Sequence, residues 1–211
     1  MQTMDLEQNT LDWLRWRSRG IGASDAGIIL GVSPWFTRSQ LMRRKVNEIL
    51  ELDNKGRKGR KKKEADNGAM ARGRRLEPKI RKMYEEITGI QSPPVCAIHS
   101  DHDWMRASLD GWNEDLGIIL EIKAPNIDDH RQALAGTVPM KYQPQVQHQL
   151  TTMGADKLHY VSFSDNKKLS ALDRLAVVNV KPVKGLQKKI FDEELKFWNE
   201  LQEELTKPNQ N

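Results

Sequence analysis

The sequence predicts a single α/β domain in which helices flank a central mixed β-sheet. Three observations carry that expectation. Helical apolar spacing fills the first part of the chain, three strand-like runs follow, and then come a helix, two more strands and a last helix. The run IILEIK, residues 118 to 123, reads as an apolar, buried strand. No internal repeat or linker divides the 211 residues, a length that supports one well-buried core.

Lys and Arg outnumber Asp and Glu by 34 to 29, a net +5 that favours a polyanionic partner. The single cysteine, Cys96, excludes an intrachain disulfide framework and fits a reducing cytoplasm. The polar start MQTMDLEQNT does not resemble a signal peptide, and no apolar run approaches membrane-spanning length.

Taken in order, Trp13 and Trp16 interleave with Arg15, Arg17 and Arg19, and Trp13 is expected to pack on the core. The glycines of GIGASDAGIILG, at positions 20, 22 and 27, do not fit a dinucleotide loop, and no strand-forming run precedes them. Ser24 is instead expected to cap a short helix that Gly31 ends. With Arg17 ahead of it, this helix start is either a pocket for one phosphate or simple capping. Thr37 and Gln40 form a capping box for a helix to about residue 50, whose apolar side is Leu41, Val46, Ile49 and Leu50. KGRKGRKKK, residues 55 to 63, holds seven basic residues in nine. It has no apolar period and is expected to be a solvated loop giving sequence-blind contact with DNA backbone, through Lys61, Lys62 and Lys63 among others.

A helix from about Asn67 to Thr88 turns Leu76, Ile80, Met83, Tyr84 and Ile87 to the core, with a kink or restart expected at Pro78. Glu77 is either paired with Arg74 or Arg81, or aimed inward at a metal. Strands follow at 95–100, 104–108 and 118–123. His99 and His102 fall on a strand and its turn rather than on one helix face, which argues against zinc. A helix from Pro139 to Gly154 carries Val146 and Leu150 inward, with Gln145 and Gln149 one turn apart. Strands at 158–164 and 171–180 precede a last helix from about 183 to 205.

The chemistry concentrates in SLDGWNEDLGIILEIK, residues 108 to 123, which is expected to form a hairpin turning at Asn113 to Gly117. Alternation along a strand puts Glu121 and Lys123 on one face and Ile122 on the other, while Asp110 closes the partner strand beside Glu121. Two converging acids suit a divalent cation. A lysine beside them is placed to orient a metal-bound water or to help take its proton, as phosphodiester hydrolysis needs. The bare D-(x)10-E-x-K spacing also fits a surface hairpin with a cross-strand ion pair, so the flanking blocks decide.

Four blocks in order, RSRGIGASDAGIILGVSPW, GRRLEP, the SLDG…LEIK hairpin and MKYQPQVQHQL, resemble the lambda-exonuclease (YqaJ-type) viral recombinases of the PD-(D/E)XK nuclease superfamily. The resemblance runs from about Trp13 to about Ser164. Leu109 stands where that superfamily has its proline, which is no ligand. The resemblance implies that Asp110, Glu121 and the backbone carbonyl of Ile122 hold Mg²⁺, as two ions with Mn²⁺ as a substitute. It makes Lys123 the catalytic lysine, Glu77 an acid acting through metal-bound water, and Gln145 an active-site glutamine. Arg17, Ser24 and Ser108 take the positions that bind a 5′-terminal phosphate.

The implied reaction is 5′-to-3′ digestion of one strand of linear duplex DNA. It leaves a 3′ overhang for a single-strand-annealing protein, by a homotrimeric ring in the cytoplasm of a bacterial host of a phage or prophage. On this reading residues 1–211 are one exonuclease domain. Its nuclease core lies at about 67–164, a DNA-end-binding helical part at about 11–50, the basic loop at 55–63 and a C-terminal helix at about 183–205. A restriction- or repair-type endonuclease and a non-cleaving DNA-binding protein are the alternatives.

Overall fold

The computed structural model describes residues 1–54 and 68–207. The elements are β1 (Gln2–Met4), α1 (Leu11–Ser18), β2 (Ile21–Gly22), α2 (Ala23–Ile29), α3 (Arg38–Asn54) and α4 (Gly68–Thr88). After these come β3 (Val95–Ile98), β4 (Met105–Leu109), β5 (Gly111–Asn113), β6 (Ile118–Lys123) and α5 (Ile127–Leu134). The chain continues through α6 (Gln143–Met153), β7 (Lys157–Phe163), β8 (Leu175–Val180) and α7 (Lys184–Thr206). Residues 55–63, the expected basic loop with Lys61, Lys62 and Lys63, lie outside the described residues.

The mixed α/β domain is as the sequence predicts, with its strands divided between two four-stranded mixed sheets. One has the order β1-β3-β4-β2, the other β5-β6-β7-β8. They meet where β4 runs into β5 at Asp110. Gly111 is required at that bend, because a Cβ there would sit 2.6 Å from the Ser92 carbonyl oxygen. β6 pairs antiparallel with β5 and parallel with β7, so it is interior to its sheet.

Both faces of β6 are covered, which is why its sequence is so apolar. Ile119 packs toward α6 with Val146 and Leu150, whereas Leu120 and Ile122 pack toward α4 with Ile80 and Tyr84. A third cluster joins Ile21, Ile28, Leu41, Trp104 and Phe197 beneath α2, α3 and α7. Truncating a fully buried side chain such as Leu120 to alanine would cost about 2–5 kcal/mol. No helix among the described residues is long and apolar enough to cross a membrane.

Several boundaries differ from expectation for local reasons. Helix α4 runs unbroken through Pro78, whose ring lies on the exposed side, where the missing N–H donor costs least. Ile87, expected in the core, is exposed at the last turn, beyond the reach of the sheet. The helix expected from Pro139 begins as a 3₁₀ turn, Met140–Tyr142, and becomes α-helical only at Gln143, with Pro144 in its first turn. The strand expected from 171 begins at Leu175, because Leu172–Arg174 form a 3₁₀ turn. Thr37 and Gln40 do exchange the capping-box hydrogen bonds.

Candidate active site

Strand β4 alternates strictly: Met105, Ala107 and Leu109 are buried, while Arg106 and Ser108 face outward, and Asp110 continues that outward row. Asp110 then lies beside β6, where its Oδ2 accepts a hydrogen bond from the Ile122 backbone N–H at 2.7 Å. Its own carbonyl accepts from Arg81 Nε at 2.8 Å. Arg81 also binds Glu77 at 2.5 Å, one of the two partners expected for it, and Glu77 lines the same cleft as Asp110.

Glu121 is only 1% exposed yet fully engaged. Its Oε1 accepts from the Lys123 ammonium and from Gln145 Nε2, the latter at 2.6 Å, and its Oε2 accepts from Gln149 Nε2 at 2.5 Å. The two glutamines, one turn apart on α6, act together; the second was visible in the sequence only as that spacing.

Burial raises the Asp110 carboxyl well above the usual carboxylate range, and repulsion from Glu121 and Glu77 adds to it. Burial likewise raises Glu77, with Glu121 adding to the effect against the opposing Arg81. Burial opposes the charge on Lys123, but Glu121 and Asp110 outweigh it and raise its pKa above the ordinary lysine value. Among the described residues no three His, Cys, Asp or Glu side chains stand together as a ready-made metal cluster. Glu77 turns to Arg81, and Glu121 to Lys123 and the glutamines. What is assembled is a pair, Asp110 and Glu121, whose mutual repulsion a divalent cation relieves. The donor chemistry fits such an ion.

The predicted phosphate residues cluster too. Arg17 Nη2 donates to Ser24 Oγ at 2.9 Å, and its guanidinium lies 5.0 Å from the Trp13 ring centroid. Trp13 is buried as expected, and its indole N–H donates to Ser108 Oγ at 2.8 Å. One correction concerns Ser24. The N-cap of α2 is Gly22, and Asp25 Oδ2 accepts from the Gly22 N–H at 3.1 Å. Asp25, at the third helical position, reaches back to the cap backbone, and the Ser24 hydroxyl, one position earlier, is left with Arg17.

Behind this segment lies an ion pair that sequence reasoning missed. Lys45 is 2% exposed, and its ammonium binds Asp25 at 2.8 Å and the Gly20 carbonyl at 2.7 Å. Burial alone would raise the Asp25 carboxyl, but Lys45, Arg17 and Arg44 overcome it and hold it at about 2. Gly20 has no room for a Cβ, which would meet Arg106 Cδ at 2.6 Å.

A cleft of about 210 Å³ joins the two groups, lined among others by Arg17, Ser24, Ser108, Glu77, Asp110 and Gln145. Glu121 is one hydrogen bond from the cleft, through Gln145, and Lys123 is one more, through Glu121. Trp16, Arg74 and Arg106 also line the cleft, and none of them was singled out from the sequence as a site residue. A larger opening of about 380 Å³, between the end of α6 and the start of α7, holds none of the predicted residues.

Fold and hairpin together define a lambda-exonuclease-like α/β domain. The alkaline exonuclease from Laribacter hongkongensis is similar to it with a TM-score of 0.74 and 25% identity, over 93% of this chain and 94% of that one. The same enzyme in complex with dAMP gives 0.74 and 24% over the same shares. A phage related exonuclease from Haemophilus somnus 129PT shares the fold at 0.54 and 16%, over 89% of this chain and 96% of that one. The chain belongs to the YqaJ-like viral recombinase domain family, which residues 12–156 match. It is 25% identical over 198 residues to the uncharacterized protein YqaJ of Bacillus subtilis (strain 168), covering 92% of this chain. It spans only 57% of that relative's length.

Proposed function

We propose that this protein is a Mg²⁺-dependent exodeoxyribonuclease that digests one strand of linear duplex DNA from its 5′ end. The product is a 3′ overhang suited to a single-strand-annealing partner. The observation that carries this reading is the single cleft in which Arg17, Ser24 and Ser108 adjoin Asp110, Glu77 and Gln145. The likeness to an alkaline exonuclease supports the class of reaction.

On this reading the Arg17 fork and the two serine hydroxyls hold a terminal phosphate, so strand ends are favoured over internal bonds. Asp110, Glu121 and the Ile122 carbonyl hold the metal. Mg²⁺, when bound, neutralises charge on the scissile phosphate and acidifies water. Gln145 and Gln149 fix Glu121, which lets an acidic side chain stay placed in a buried setting. Lys123, bonded to Glu121 beside the metal ligands, is placed to orient the attacking water and to balance phosphate charge. Glu77, carried by Arg81, borders the same space. Lys61, Lys62 and Lys63 add backbone contacts, and three copies form a ring around the DNA.

The test is a timed digestion of 5′- and 3′-labelled linear duplex in Mg²⁺ or EDTA, beside closed circular DNA. Early loss of the 5′ label from linear DNA, in Mg²⁺ only, is expected. Nicking of the closed circle would make the protein an endonuclease, and binding without cleavage would make it a DNA-binding protein.

A further inference from the structure

Large apolar side chains gather in the open where the turn after α2 meets the 3₁₀ turn before α6. Trp35 is 60% exposed, Phe36 44% and Met140 74%. Large apolar side chains exposed side by side mark a candidate contact surface. The rings are ordered: Trp35 lies 6.5 Å from Tyr142, and Tyr142 lies 6.0 Å from the buried Tyr160, each pair tilted by 32°. Cations accompany them. Lys141 Nζ is 5.2 Å from the centroids of both Trp35 and Tyr142, and the Arg44 guanidinium is 5.3 Å from that of Phe36. The ladder also leads inward, since Lys123 Nζ is 5.7 Å from the Tyr142 ring. Trp35 and Lys123 are therefore two ring-sized steps apart.

We propose that Trp35, backed by the half-buried Tyr142, is a stacking platform for unpaired bases of the DNA strand that enters the active site. The inference rests on the nuclease reading above and extends it to a specific subsite. Lys141 is tied to Asp129 at 2.5 Å and Arg44 to Asp25 at 3.2 Å, so these cations fix the rings, and the planar, exposed π-face is what an unpaired base would stack on. Continuity with Lys123 favours this occupant, because the ladder ends beside the lysine that the nuclease reading sets against the scissile phosphate. Every base has a π-face, so the platform tolerates any sequence, as an enzyme that traverses its substrate requires.

The experiment measures binding of a short fluorescent single-stranded oligonucleotide to the full chain in EDTA, where no cleavage occurs. Trp35 is exposed, so its variants should keep the wild-type melting temperature. Trp35→Ala is expected to weaken binding roughly tenfold, Trp35→Phe to retain most of it, and Trp35→Leu to behave like alanine. An oligonucleotide with abasic sites should lose affinity for the wild type, and Trp35→Ala should add little further loss. Equal binding by all variants overturns the platform, and so does leucine matching phenylalanine, which would mean a merely apolar contact. Unchanged DNA binding with altered assembly by light scattering would make this face a contact between copies and overturn it too. A wild type that neither binds nor cuts DNA defeats the nuclease reading instead, so the two failures are distinguishable.

Discussion

Replacing Lys45 with methionine keeps the length and most of the apolar stem of the side chain but removes the ammonium that Asp25 and the Gly20 carbonyl share. Asp25, 1% exposed, is then left with the Gly22 N–H and the more distant Arg44, 3.2 Å away. Breaking one side of a buried ion pair costs about 3–5 kcal/mol, a large share of the roughly 5–15 kcal/mol that holds a domain together.

The acid limb gives an independent magnitude. The Asp25 carboxyl lies at about 2 in the fold against an ordinary 3.8. At about 1.4 kcal/mol per pKa unit, its charged form contributes on the order of 2 kcal/mol. A carboxyl whose folded pKa is depressed stabilises fully above its unfolded pKa and loses that contribution as pH falls through the folded one. Urea titrations followed by tryptophan fluorescence, at neutral pH and at steps down to about 2, read both effects. Lys45→Met should be several kcal/mol less stable at neutral pH and should show a shallower decline in acid. The double variant Asp25→Asn, Lys45→Met should recover part of the loss, since no charge is then stranded. A Lys45→Met protein within about 1 kcal/mol of wild type, with the same acid decline, would refute the reasoning.

Two further outcomes follow from the same kind of geometry. Asp110→Ala or Lys123→Ala should lower Mg²⁺-dependent digestion by orders of magnitude while the circular dichroism spectrum stays native; near-normal cleavage by purified Lys123→Ala would remove it from the site. His148, fully buried, places Nδ1 2.8 Å from the Glu194 carboxylate and Nε2 2.9 Å from the Arg106 carbonyl. Burial pushes the Glu194 carboxyl up and His148 pulls it back; with Glu194 ionised both partners are acceptors, both ring nitrogens donate and the ring is a cation. Burial opposes that charge, but Glu194 raises the histidine above its ordinary value. Its contribution to stability is therefore whole below the ordinary imidazole pKa and lost as pH rises through the elevated one. Stability measured from pH 6 upward should fall more steeply in the wild type than in Glu194→Gln, and parallel curves would contradict the pairing.

The sequence showed most plainly what repeats or converges. Leu76, Ile80 and Tyr84 mark the buried stripe of α4, Thr37 and Gln40 mark a helix start, and Gly154 ends α6 at φ 60°. Alternation in the 108–123 hairpin was enough to bring Asp110, Glu121 and Lys123 to one place, because register on a covered strand leaves no freedom of face. The less legible parts depended on distant partners. β1 and β2, three and two residues long, exist only through pairing with β3 and β4 and have no period of their own. Lys45 looks like a solvent-facing lysine on an amphipathic helix until Asp25 and Gly20 close over it. Ser24 has the side chain of a capping residue, yet the cap falls two residues earlier, at Gly22, whose N–H Asp25 accepts while Lys45 holds the same carboxylate.

The central claim is that one cleft joins a 5′-phosphate anchor to a hydrolytic centre. Its most direct test is the ratio of initial digestion rates on 5′-phosphorylated and 5′-hydroxyl duplex, for wild type and Arg17→Ala. A charge-assisted hydrogen bond of this kind is worth roughly ten- to hundredfold. The wild type should prefer the phosphorylated end by about that factor. Arg17→Ala should lose the preference while its rate on 5′-hydroxyl duplex changes little. An equal fall on both substrates would make Arg17 a residue of the fold or of general DNA binding, and the cleft would then hold no end-specific anchor.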